Sequence, residues 1–178
     1  TEIGYQDAPA WWTLADKTRV YTDGSGPQAA HRTMMATQLA FGTTQAELER
    51  LEPEYIALRE YLLTLKAPAW PFTAPSSDAV ARGRALFRQQ CTICHRDDRC
   101  ERQESNIVPK ETVGTDPERS VKYGMNEVAL INNTWFGATD QHRASGGYTA
   151  PSLRGVWASA PYFHNASVPT VEAVLDST

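Results

Sequence analysis

Cys91-Thr92-Ile93-Cys94-His95 is the stretch whose residue types and spacing do chemistry. Two thiols separated by two residues reach the two vinyl groups of one porphyrin and close as thioethers. The histidine that follows directly turns under the iron and offers its imidazole as proximal ligand. The pattern reads as covalent attachment of one c-type haem through Cys91 and Cys94, with His95 on the iron. Two other chemistries use paired cysteines. A zinc site needs two more ligands; Cys100 and a histidine supply the types, but the spacing matches no common zinc module. A thiol redox pair expects a βαβ setting, and the chain shows no strand-rich alternation.

The chain holds 3 cysteines, so two thioethers leave Cys100 over. It reads as a free, partly buried thiol at the haem rim beside Arg99. A disulfide to a partner, or to a part of the polypeptide outside this sequence, and a distal thiolate are its other fates. The second axial ligand has several candidates. Besides His95 there are His31, His142 and His164, with Met34, Met35 and Met125. His31 reads as packing on its helix. His142, inside Thr139-Asp140-Gln141-His142-Arg143, reads as a solvated loop residue. The residues alone leave His164, Met125 and an open iron as alternatives.

Helices must position this motif. Ser76 or Ser77 caps a helix through Ala79, Val80, Gly83, Leu86 and Phe87 to Gln90, leading straight into the cysteines. Upstream, Gln28 to Phe41 reads as a helix closed by Gly42. Thr44-Gln45-Ala46-Glu47 fits a capping box and opens a further helix. Pro53 is expected to start a second segment with Tyr55, Ile56, Leu58, Leu62, Leu63 and Leu65 on a wide apolar stripe. Three prolines within 67–75 mark an internal boundary. Residues 96–124 read as polar and irregular except near Val121, Asn126–Trp135 as helix, and 137–169 as ordered loop. Tyr148, Trp157, Tyr162 and Phe163 fill a core or wall the haem, and a tryptophan ring or Arg154 could bond a haem propionate.

The helix before the cysteines resembles the first helix of cytochromes c. In that family a glycine and an aromatic four residues later share the face that another helix crosses, and Gly83 and Phe87 match it. Residues 150–170 resemble the C-terminal haem domain of the bacterial cytochrome c peroxidase and rubber-oxygenase families. Pro151-Ser152-Leu153, Ala160-Pro161-Tyr162-Phe163-His164-Asn165 and Ser167-Val168-Pro169-Thr170 carry that resemblance, and Ala166 stands where the family has glycine. Pro9-Ala10-Trp11-Trp12 and the Tyr21–Pro27 turn look like the inter-haem part of the rubber-oxygenase group. In that group the motif histidine is a distal haem ligand, which implies His164 here. In the peroxidase group a later methionine ligates, and this chain has none after Met125.

The fold class expected is all-α: a cytochrome c-like haem domain with long loops over 76–178, and an N-terminal helical extension over 1–75 packed on it. The first residue is not Met, and a helix opening at Pro169–Asp176 stops after barely two turns. Both suggest a piece of a larger polypeptide.

Net charge is −4 over 178 residues, with 41% hydrophobic and 21% charged residues. That balance fits a globular chain and disfavours nucleic acid as partner. No apolar stretch approaches the roughly 18–20 residues of a membrane span. Arginines 82, 84, 88, 96, 99 and 102 cluster near the motif against acids 97, 98, 101 and 104. This less negative patch reads as a solvated mixed-charge face; the alternative is that it biases docking toward an acidic partner.

A haem with two strong protein ligands has no vacant site and only changes oxidation state, at a lower potential for two histidines than for histidine and methionine. The function expected is therefore electron transfer to or from a redox enzyme, such as an extracellular oxidative enzyme. The partner is a separate protein or a neighbouring domain of the same polypeptide. The alternative is a peroxidase or dioxygenase fragment of a di-haem enzyme. Thioether attachment of haem places the chain in the periplasm or outside the cell.

Overall fold

The computed structural model describes residues 7–28, 31–95, 106–139 and 141–176. Cys100 and the charges at 96–99, 101, 102 and 104 lie outside them. A 3-10 helix at Trp11–Asp16 is followed by β1 (Arg19–Val20), β2 (Gly26–Pro27) and α1 (His31–Met35). A second 3-10 helix, Ala36–Phe41, leads to α2 (Gln45–Thr64) and α3 (Ser77–Gln90). Then come β3 (Ile107–Pro109), α4 (Lys110–Val113), α5 (Glu118–Lys122) and α6 (Met125–Asn132). A 3-10 turn at Trp135–Gly137, β4 (Gly147–Thr149), another at Val156–Ala158 and α7 (Val171–Leu175) complete the order.

The chain is about half helical with small strands, which corrects the all-α expectation. β1 pairs antiparallel with β2, and β3 with β4 in the register Ile107↔Thr149, Val108↔Tyr148, Pro109↔Gly147. Strands of two or three residues that contain Gly26, Pro27, Pro109 and Gly147 are too short to show alternation in sequence. Gly147 is required by close approach: a Cβ there would sit 2.1 Å from the Val108 carbonyl oxygen.

The helix caps form as their residues dictate. Thr44 and Glu47 make the reciprocal capping box at the start of α2, and Ser76 accepts from the Ala79 amide at the start of α3. Thr170 caps α7 through the Ala173 amide. Gly42 ends the second 3-10 helix in the left-handed region, with φ 73°. The expected helix over 28–41 is split: α1 tightens into the 3-10 helix after Met35. Pro53 does not begin a new helix, because α2 runs through it from Gln45 to Thr64. A proline inside a helix removes one ladder bond, and tertiary anchors on both sides of Pro53 hold the helix together. Glu52 pairs with Arg32 and His31, and the Tyr55 hydroxyl accepts from Gln38 at 2.7 Å.

The α2 helix lies against α1 and the first 3-10 helix. Met35 and Leu48 are fully buried, and Leu14, Val108, Val128 and Tyr148 are nearly so. Burying a leucine such as Leu48 contributes about 2 kcal/mol. The apolar stripe of α2 is only partly used, since Ile56 and Leu58 stay exposed. The α3 helix buries none of its residues, and a Cβ at Gly83 would meet nothing within 4 Å. The crossing helix that the resemblance implied at Gly83 is thus not supplied by the described residues.

Residues before and after the motif are bonded together. The Thr149 amide donates to the Thr22 carbonyl at 2.7 Å, and the Arg143 amide to the Ser25 carbonyl at 3.0 Å. Trp12 Nε1 donates to the Arg154 carbonyl at 2.9 Å, and the Arg154 guanidinium meets Asp16 at 3.0 Å. Among the described residues no helix is long and apolar enough to cross a membrane.

Candidate haem site

The cysteine motif forms one turn at the end of α3. The amides of Cys94 and His95 both donate to the Cys91 carbonyl, at 3.1 and 2.8 Å. In such a turn residues three apart share a face, so Cys91 and Cys94 present both thiols on one side. Both are free and half-buried. Ile93 between them is 86% exposed. Among the described residues no group of three His, Cys, Asp or Glu converges to hold an ion.

His95 Nδ1 lies 3.1 Å from the carbonyl oxygen of Pro151. A carbonyl has no proton, so Nδ1 is the donor. In the neutral imidazole this leaves the Nε2 lone pair free, as an iron ligand requires. The residues therefore fit a covalent haem by the chemistry of their donors.

His164 is held from three sides. The Tyr162 amide donates to the Val168 carbonyl at 2.6 Å, and the Val168 amide returns a bond at 3.3 Å, closing a tight loop around it. Phe163 and Ala166 turn that loop with φ of 65° and 57°. The Asp7 amide donates to the His164 carbonyl at 2.8 Å. The imidazole stacks on the ring of Tyr148, centroids 4.4 Å apart and planes 19° from parallel. Tyr148 is buried in β4, and its hydroxyl donates to the Asp116 carbonyl. Burial pushes the His164 pKa down, Asp116 opposes this and Arg119 adds to it. This shift favours the neutral imidazole.

One short segment therefore serves both histidines: Tyr148 stacks on His164, and three residues on, Pro151 anchors His95. The resemblance included Pro151-Ser152-Leu153, yet the role of the Pro151 carbonyl was not read from it. A backbone acceptor leaves no side-chain signature. The proline that precedes the Ala160–His164 motif is the one mark of it in the sequence.

The remaining candidates fall elsewhere. His142 is 4% exposed, which overturns its reading as a solvated loop residue. Its Nε2 meets Thr33 Oγ1 at 2.9 Å and its Nδ1 meets Tyr123 Oη at 3.0 Å. Asn132 bonds both its amide and its carbonyl. Burial pushes the Tyr123 hydroxyl up to about 12, with Tyr21 adding and Arg119 opposing. His31 pairs with Glu52 at 2.7 Å. Met35 is fully buried, and Met125 opens α6 with 81% of its surface exposed. Trp157 packs edge-to-face with Trp70 at 5.8 Å and Phe72 at 5.9 Å, rings of the proline-rich 67–75 segment.

The chain is 28% identical over 205 residues to an uncharacterized protein, y4iM, of Sinorhizobium fredii (strain NBRC 101917 / NGR234). That similarity covers 95% of the chain but 44% of the relative, so the chain spans less than half the relative's length. Residues 147–178, which carry Tyr148, Pro151 and His164, match the family model described as RoxA-like, cytochrome c-like, and this similarity supports a c-type cytochrome role for the chain.

Proposed function

We propose that the chain is an electron-transfer c-type cytochrome domain, with one haem bound through Cys91 and Cys94 and ligated by His95 and His164. The haem supplies reversible one-electron chemistry when bound. The observation that carries the reading is the His95 Nδ1 bond to the Pro151 carbonyl, which directs a free lone pair away from the anchored side of the ring. His164 supports it: stacked on Tyr148 and fixed by backbone bonds on either side of its loop.

Each residue has a separate task. Cys91 and Cys94 tether the group. His95 and His164 would both ligate the iron, so that a small molecule would have to displace one of them. Pro151 and Tyr148 keep the two imidazoles from turning. In this reading residues 76–178 form the haem domain, and 1–75 an extension bonded to it. Electrons pass to or from a redox enzyme, either a separate protein or a neighbouring domain, in the periplasm or outside the cell.

Mass measurement of the chain made in a haem-attaching host should find one covalent haem, lost in Cys91→Ser with Cys94→Ser. The visible spectrum should be low-spin in both oxidation states and unchanged by carbon monoxide. His164→Gly should turn it high-spin. A high-spin ferric spectrum with fast peroxide turnover in the parent would instead support a peroxidase-type fragment. If Met125→Ala alters the spectrum and His164→Gly does not, the axial assignment is wrong.

A further inference from the structure

The contact between Tyr148 and His164 is of a particular kind. Tyr148 Oη lies 3.4 Å from His164 Nε2, close to hydrogen-bond range. Yet the rings are only 19° from parallel at 4.4 Å between centroids. The lone pair and the N–H of an imidazole lie in its plane, so neither is aimed at an oxygen stacked over its face. The Tyr148 hydroxyl also has its own acceptor, the Asp116 carbonyl at 2.5 Å. The phenol therefore holds the imidazole by its face and leaves both ring nitrogens available in plane. The ring is carried by β4, whose backbone pairs with Val108.

We propose that Tyr148 is the positioning residue for His164: its ring face sets the plane of the imidazole and keeps it from swinging off the iron. This rests on the reading of His164 as axial ligand. Stacking, not hydrogen bonding, carries the effect, so the aromatic face matters and the hydroxyl does not.

The test uses the haem-loaded chain. In the ferrous parent, proton NMR should show His164 ring protons moved far upfield by the haem, with through-space contacts to the Tyr148 ring. Upfield His164 protons without those contacts would overturn the proposal and leave the ligand reading standing. No upfield His164 protons would overturn the ligand reading, and the proposal with it. Tyr148→Leu should bind cyanide about 10-fold faster in the ferric state, as expected on loss of a residue that orients a ligand. Tyr148→Phe should behave as the parent. Val128→Ala, a core truncation outside this strand pair, should leave the cyanide rate unchanged. A parent-like rate in Tyr148→Leu, or a raised rate in Tyr148→Phe or Val128→Ala, would refute face-on positioning. If Tyr148→Leu does not load haem, the NMR contacts and Tyr148→Phe still decide.

Discussion

The imidazole of His95 donates from Nδ1 to the carbonyl oxygen of Pro151 at 3.1 Å, across a separation of 56 residues. Proline restricts its own φ and so stiffens the backbone that carries this acceptor. Pro151→Gly keeps the carbonyl but frees the chain around it. The expected outcome is a weaker hold of His95 on the iron by about 10-fold, in line with losses of ligand-orienting bonds elsewhere. Competition by added imidazole, followed in the visible spectrum, measures it.

His142 serves the fold, not the haem. Its ring is bonded at both nitrogens, to Thr33 and to Tyr123. His142→Phe leaves those two hydroxyls facing an apolar ring, at a cost of about 1–3 kcal/mol for each partner left unsatisfied. The urea midpoint of the haem-loaded chain should fall accordingly, while its low-spin spectrum stays unchanged. A spectral change on this substitution would return His142 to the list of ligands.

Glu52 makes the fold acid-sensitive. The Arg32 guanidinium, and His31 after it, hold its carboxyl below the ordinary glutamate range, against an opposing effect of burial. The folded value is thus lower than the unfolded one. This stabilisation is complete above the unfolded value and is lost as pH falls through the folded one. Stability should therefore drop below about pH 4.5. Glu52→Gln should flatten this part of the stability-against-pH profile and lower stability at pH 7. Arg32 also donates to the Trp135 carbonyl at 2.9 Å and lies over its ring, so the loss should reach the Trp135–Gly137 turn.

Ala166 occupies the left-handed region, φ 57°, at the position where the resembled families carry glycine. A side chain there costs about 1–2 kcal/mol, part of which glycine gives back through its freer unfolded chain. Ala166→Gly should stabilise the His164 loop by about 0.5–1 kcal/mol net. Thermal unfolding of the haem-loaded chain measures it, with the spectrum as control.

What the sequence determined by itself was local. The thioether pair depends on a spacing of two residues within one turn, and Cys91, Cys94 and His95 do lie on a single turn. The caps at Thr44 and Ser76 were legible because each joins residues three apart. His164 was legible only through a motif, not through any partner visible in the sequence. The tertiary structure decided the rest, because those partners are distant along the chain. Burial of His142 depends on Thr33, 109 residues away. The continuity of α2 through Pro53 depends on Arg32 and Gln38. The stack of Tyr148 on His164 depends on two short strands whose glycine and proline hide them from any periodic reading. Spacing sets which bonds a turn can make; only packing sets which distant backbone carbonyl an imidazole meets, and so which of its nitrogens is left with a free lone pair.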